Sequence, residues 1–353
     1  MIRHAGSPGD AYRMDIKEKK QAFPNMTPSE EKALKEAANG PDPDSLWEPV
    51  VSSGMKFVSV LDPDYPKRLL AISSPPICLY YYGKLPSDSA PAVAIVGARA
   101  CSSYGKLVAS EFGRQLGEQK IQVISGMAAG IDSISQNAAV DAGGYSAGVL
   151  GCGCDICYPK ENRRLYEKLK ETGAVISERY PSAQPLKQFF PARNRIISGL
   201  SQAVLVVEAR VRSGSLITAD MALEQGRDVY AVPGRVNENL SAGCNRLIKQ
   251  GAGMAITPRE FVEDLLCENY IEEDLSKESH QGKSVLEIKR PRGLDEGESI
   301  IWDALTTDPR SVDQIYNDIS NRLVISLPGL IQVLLRMCLK GAAKQISATY
   351  FTK

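Results

Sequence analysis

The stretch Pro191–Thr218, PARNRIISGLSQAVLVVEARVRSGSLIT, decides how the chain folds. Its middle, Ala203–Ala209, is an apolar run interrupted only by Glu208, which predicts a strand buried on both faces. Arg212-Ser213-Gly214-Ser215 follows and leads into helix-period sequence from Leu216 onward. A tight Gly/Ser turn between a strand and a helix aims backbone N–H groups and a positive helix end outward, which suits phosphate. From Lys187 to Arg212 five basic residues (Lys187, Arg193, Arg195, Arg210 and Arg212) stand against one acid, Glu208. This predicts an anion site that holds several charges in succession.

The same strand-then-helix pattern extends on both sides. Strands are expected at Val93–Gly97, Ile121–Gly126, Ser146–Gly151, Ala174–Ser177, Val229–Val232 and Met254–Ile256. Helix-period segments lie between several of them: Tyr104–Glu118, Ser133–Ala142, Asn162–Glu171, Ser215–Gln225 and Asn245–Gln250. Short apolar strands alternating with helices specify an α/β, Rossmann-like, doubly wound and mostly parallel sheet, whose ligands bind at the carboxyl ends of the strands. Residues 51–267 are assigned to this domain. Residues 1–50 read as a small, diverged N-terminal helical region with one helix, begun by the capping box Thr27-Pro28-Ser29-Glu30. A short strand at Phe57–Leu61 and the proline-rich turns of DPDYPKRL and SPPICLYYYGKL cover one edge of the sheet. Residues 268–297 are charged and irregular, a linker. Residues 298–353 carry a helix at Ser299–Leu305, a capping box at Ser311–Gln314, an apolar helix near Pro328–Leu339 and a terminal strand pair, a winged-helix-like domain. It shows no Arg-rich recognition helix and reads as an interaction module.

Composition narrows the function classes. The 353 residues contain 42 basic and 42 acidic side chains, so any nucleic-acid site is a local patch. No apolar run approaches the ~18 residues of a membrane span, and the first residues lack an apolar signal core. A cytoplasmic protein with no membrane partner is expected. Cys78, Cys101, Cys244, Cys267 and Cys338 read as small buried hydrophobes. Cys152, Cys154 and Cys157 form a CxCxxC cluster without a fourth nearby ligand, which favours a structural role over a metal site. The two histidines, His4 and His280, sit in polar segments outside the expected core, which disfavours a triad hydrolase.

Other strand ends repeat the anion-binding theme. Val96-Gly97-Ala98-Arg99 puts Arg99 where phosphate would lie. Ser125-Gly126-Met127-Ala128-Ala129-Gly130 carries two glycines four apart, a nest-like loop, and Asp132 is expected to cap the next helix. Lys187 precedes Phe189 and Phe190, a cation and a ring in the spacing used for phosphate and base on single strands. Phe190 is taken as the exposed ring and Phe189 as core. GxxxxGK[ST] and GxGxxG are both absent, so neither P-loop chemistry nor a nicotinamide cofactor is expected, and no other cofactor is called for. Glu208 is the one tempting catalytic acid and is read as an internal partner for Arg193 or Arg195. The competing reading is a Rossmann-like nucleotide-hydrolysing enzyme of the phosphoribohydrolase type, with Glu208 as its carboxylate.

VGAR, SGMAAGID, PLKQFFPARNRIISGL, VVEARVRSGSLITADMALEQGRDVYAVPG and GCNRLIKQGA, in this order, resemble the DprA (Smf) DNA-processing proteins of bacteria. The resemblance runs from about Lys56 to Leu265. It implies a non-enzymatic protein that binds single-stranded DNA, forms a homodimer and helps load RecA recombinase on incoming DNA during natural transformation. Carried over by position, it implies DNA contacts at Arg99, Ser125, Gly126, Gly130, Lys187, Phe190, Arg193, Asn194, Arg212, Ser213, Gly214 and Ser215. Two departures stand out: Ala129 where many members have Lys or Arg, and Gln136 where many have His, a position read as structural.

Overall fold

A computed structural model describes residues 2–40, 42–266, 294–306, 310–323, 325–340, 342–347 and 350–352. It divides into two compact units, Met1–Ile271 and Glu272–Lys353. Most of the expected linker, with Cys267 and His280, lies outside the described residues.

The first unit is built on a nine-stranded sheet: β1 (Lys56–Ser59), β2 (Cys78–Gly83), β3 (Ala92–Val96), β4 (Gln122–Ser125), β5 (Ser146–Val149), β6 (Ala174–Ser177), β7 (Ala203–Val206), β8 (Asp228–Ala231) and β9 (Gly253–Met254). Their order is β1-β2-β6-β5-β4-β3-β7-β8-β9. All neighbours from β6 to β9 are parallel, and β1 and β2 add an antiparallel edge. The alternation of β3 explains its unbroken apolar run. Ala94 and Val96 face one buried cluster with Val204 and Val206, while Val93 and Ile95 face the other with Ala203 and Leu205. Both faces are covered, so both sets must be apolar.

Helices that position the strand ends are α1 (Ser103–Glu118), α2 (Ile131–Asp141), α3 (Arg163–Thr172), α4 (Phe189–Gly199), α5 (Gly214–Glu224) and α6 (Ala242–Lys249). From β3 the chain winds outward through β4, β5 and β6, then returns to lay β7 on the other side of β3. That reversal opens a crevice at the carboxyl ends of β3 and β7.

Three parts depart from expectation. Residues Cys78–Gly83 form a strand, not turns, inserted between β1 and β6. Phe189–Gly199 forms a helix where none was expected, and it carries the Arg-Asn-Arg triplet. Pro191 falls in its first turn, where a missing N–H costs nothing. The N-terminal region holds further helices besides Pro28–Ala38, among them Pro8–Arg13, Ile16–Ala22 and Pro43–Ser52. Asp15 and Glu18 make a second capping box there.

The second unit contains helices Glu296–Ala304, Val312–Ile319 and Leu327–Leu339 and a small antiparallel sheet of Arg310–Ser311, Tyr350–Thr352 and Lys344–Ser347. Its first helix starts earlier than expected because Asp295 and Glu298 form a capping box. Ile301, Leu305, Ile315, Leu330, Leu334 and Phe351 form its core. Among the described residues no helix is long and apolar enough to cross a membrane.

Candidate functional site

The crevice at the switch point holds a pocket of about 390 Å³. Arg99 enters it from the end of β3, Phe190, Arg193 and Asn194 from the first turns of α4, and Arg212, Ser213, Gly214 and Ser215 from the turn between β7 and α5. These residues, expected from three separate places in the sequence, are therefore brought together. Ser125, Gly126, Gly130 and Lys187 do not line it.

The turn after β7 is built to receive an anion. Ser213 holds the extended backbone of a helix N-cap (φ −126°, ψ 143°), yet its side chain caps no amide. Its hydroxyl instead meets the Ser215 hydroxyl at 2.8 Å. No acid occupies the first turn of α5, so the positive helix end stays uncompensated. Arg212 is exposed beside it and makes no ion pair among the described residues. The Asn194 amide donates to the Gly214 carbonyl at 3.4 Å and ties α4 to this turn.

Across the pocket, the Arg99 guanidinium carbon lies 5.6 Å from the centre of the Phe190 ring. Arg193 approaches the same ring at 5.9 Å. The backbone beneath Arg99 is held by Gly130, whose φ is +83°. A Cβ there would lie 2.4 Å from the carbonyl oxygens of both Ala98 and Arg99, so no side chain fits.

Arg193 belongs to the floor. It is 7 % exposed, and its Nη1 donates to the carbonyls of Gly126 (2.9 Å) and Val149. Burial lowers its pKa to about 10, with the Asp132 carboxylate opposing that shift, so it remains charged at neutral pH. Asp132 lies in the first turn of α2, and Gly130 takes the N-cap position expected for it. The Asp132 carboxylate turns back to accept from the Gly126 N–H at 3.1 Å, with Ser125 and the Ala128 backbone also supporting it. Burial raises its pKa, and Arg193 pulls it back down. The Met127 N–H donates to Gln136 (3.2 Å) and the Ser125 hydroxyl to the Ile95 carbonyl (2.6 Å). The loop expected to be an open nest is thus already filled by the protein's own carboxylate and amide. Gln136, which also donates to Ser146 and the Ala147 carbonyl, is structural.

Two further expectations change. Glu208 pairs with neither Arg193 nor Arg195. Its carboxylate accepts from the Ser102 N–H (2.9 Å) and the Ser102 hydroxyl (2.5 Å), fixing the cap of α1, while Arg195 pairs with Glu178 at 2.6 Å. Phe189 is not core. Like Phe190 it is half-buried, and the Arg179 guanidinium sits 4.2 Å from its ring centre. Lys187 is exposed in the loop before α4. Sequence reading missed Asp132 as a lining residue, and Ile197 and Thr218 beside it.

The cysteine cluster lies under the neighbouring strand end. Cys152 donates to the Ile156 carbonyl, Cys154 to the Tyr80 carbonyl and Cys157 to the Pro159 carbonyl, so each sulfur has its own backbone partner. Cys244 is buried as expected, whereas Cys78, Cys101 and Cys338 are only half-buried.

Comparison with known proteins finds relatives over most of the first unit. The model of the DNA recombination-mediator protein A family matches residues 56–266. The DNA processing protein DprA of Streptococcus pneumoniae is 44 % identical over 206 residues, covering 58 % of this chain and 73 % of its own length. Protein Smf of Escherichia coli is 44 % identical over 202 residues, covering 57 % of this chain but 54 % of that longer protein. Among solved structures, S. pneumoniae DprA matches with a TM-score of 0.58 and 36 % identity, over 70 % of this chain and 90 % of that one. The Helicobacter pylori DNA processing protein A, described for its single-stranded DNA binding mode, matches with a TM-score of 0.55 and 28 % identity, over 61 % of this chain and 96 % of that one.

Proposed function

This chain belongs to the DNA recombination-mediator protein A family, and from that premise we propose that it binds single-stranded DNA in the switch-point crevice and passes it to RecA recombinase. The observation that carries the reading is Arg99 resting on the half-buried Phe190 ring beside an uncapped helix end. In this reading Arg99 keeps the ring face occupied while the site is empty. When a strand enters, the guanidinium moves to a phosphate and a base takes its place on the ring. A second phosphate sits at Ser213–Ser215 with Arg212, and exposed Lys187 holds another beside the ring. Stacking of one base is worth about 1–3 kcal/mol, and the phosphate contacts add a salt-dependent, sequence-independent term. Ser125, Gly126, Gly130 and Arg193 act beneath the strand, by fixing Arg99 and Phe190.

The same reading makes the protein a cytoplasmic homodimer that acts without catalysis or a cofactor. Glu208, the carboxylate that hydrolysis of a nucleotide would require, has both oxygens bonded to Ser102 and lies outside the crevice, which argues against the phosphoribohydrolase alternative. A salt titration comparing single-stranded with duplex oligonucleotides tests the proposal. Tight single-strand binding that weakens with salt is expected. Equal affinity for both forms would overturn it.

A further inference from the structure

We propose that Tyr158 is a second base-stacking platform of this crevice and that Lys160 and Arg164 are its next phosphate holders. The single strand then continues past Phe190, over the turn that precedes α3. The inference rests on the single-stranded DNA reading above and extends its site.

Four observations carry it. The Tyr158 ring packs against the Phe190 ring, 5.6 Å between centres and tilted by 41°. The two rings are thus neighbours on one surface, although they come from segments more than thirty residues apart. Tyr158 keeps 39 % of its surface exposed, whereas a ring serving only to prop Phe190 would be covered. Its hydroxyl has no hydrogen-bond partner among the described residues.

The turn that follows is fixed to the crevice. The Asn162 side-chain amide donates to the Met127 carbonyl at 2.7 Å, which fastens the start of α3 to the loop after β4. The Asn162 N–H also donates to the Pro159 carbonyl at 3.2 Å and closes the turn on itself. Tyr158 and the residues after it therefore keep their place beside the Ala98–Gly130 wall.

Charge is arranged to suit. Lys160–Arg164 carries three cations and one acid, all exposed. Arg163 is tied to Glu167 at 2.6 Å, and Lys160 and Arg164 have no ion-pair partner among the described residues. The adjoining loop presents Ala129 to solvent and so offers no cation of its own. Lys160 and Arg164 lie two residues to either side of Asn162, which is bonded to that loop, and bring positive charge to its segment. Successive rings flanked by cations are what a single strand needs, since every base has a face to stack and every nucleotide a phosphate to neutralise.

The full chain with thymidine oligonucleotides of increasing length provides the test. Tyr158→Ala is expected to weaken binding of the longer strands about 5- to 100-fold, and Tyr158→Phe to stay within about twofold of the parent. Because Tyr158→Ala also removes support from Phe190, the exposed pair Lys160→Ser and Arg164→Ser gives a separate reading. Together they should lower the salt slope by about 1.4, two phosphates at ~0.7 each. Photochemical cross-linking of a strand carrying 5-iododeoxyuridine should join it to Tyr158 as well as Phe190. Cross-links at Phe190 alone, or unchanged affinity and salt slope in these variants, would overturn this inference and leave the crevice reading intact. A parent protein that binds no strand sinks both.

Discussion

Arg193 donates to the Gly126 carbonyl at 2.9 Å, and the Gly126 N–H donates in turn to Asp132, which balances the charge of Arg193. The two peptide groups that flank the Gly126 Cα are thus held, one by a buried cation and the other by a buried anion. No Cβ fits at Gly126, since it would lie 2.6 Å from the Arg193 guanidinium. Removing one partner of such a pair leaves the other charge buried and unmatched, which costs about 3–5 kcal/mol. Arg193→Ala is therefore expected to lower stability by that amount in urea unfolding. Arg212→Ala, at an exposed and unpaired position, should leave the unfolding midpoint unchanged and act on DNA affinity alone.

Gly130→Ala should fail for a different reason. Its φ of +83° is strained for any L side chain, and the added methyl would press on the carbonyls that carry Arg99. A loss of about 1–3 kcal/mol in stability is expected, with weaker DNA binding even where the fold survives. Gly214→Ala makes the control for stability alone, because a Cβ at Gly214 meets nothing within 4 Å although the residue lies in the proposed phosphate turn. If Gly130→Ala bound DNA like the parent, Arg99 would not depend on this loop.

Arg99 and Arg212 enter the pocket from different turns, after β3 and after β7, and are proposed to meet different phosphates. Each alanine substitution should reduce the salt slope of single-strand binding by about 0.7, and the double change by about 1.4. The loss should be uniform across base sequences, since phosphate contacts carry no base information. Fluorescence anisotropy over a range of salt concentrations measures both quantities. A slope unchanged in the double variant would remove these two arginines from the interface.

Legibility of the fold followed burial. The parallel strands β3 to β8 are covered on both faces, so they appear in the sequence as apolar runs that periodicity locates within a few residues. β2 escaped because it lies toward the antiparallel edge, where its three tyrosines are all half-exposed and no clean run forms. The helix Phe189–Gly199 escaped because its buried side includes Arg193, Ser198 and Gly199 as well as isoleucines, so the apolar stripe is broken, above all by Arg193, whose partners lie far along the chain. The same distance misdirected Glu208. It lies near the arginines in sequence, but its ligand is Ser102 and theirs are Gly126, Val149 and Glu178. The exposed groups were legible because Gly/Ser turns and lone cations at strand ends announce themselves locally. Tyr158 was not, since only the folded chain brings it to Phe190.

Burial of the thiols makes a prediction about alkaline pH. Cys152 and Cys244 are each pushed up to about 12 from an ordinary value near 9, and desolvation is the leading cause in both. In the unfolded chain these thiols ionise first, so unfolding releases protons once pH exceeds about 9. Their contribution to stability is complete below that value and is lost as pH rises toward 12. The melting temperature should therefore fall steadily across this interval, and a Cys152→Ala, Cys244→Ala variant should show a shallower fall from a lower starting point. The same burial should leave Cys152 and Cys154 unreactive toward a thiol reagent at pH 8 in the native state, with the half-buried Cys157 modified first. Rapid modification of Cys152 before Cys157 would mean that the cluster opens in solution and that its carbonyl contacts do not hold.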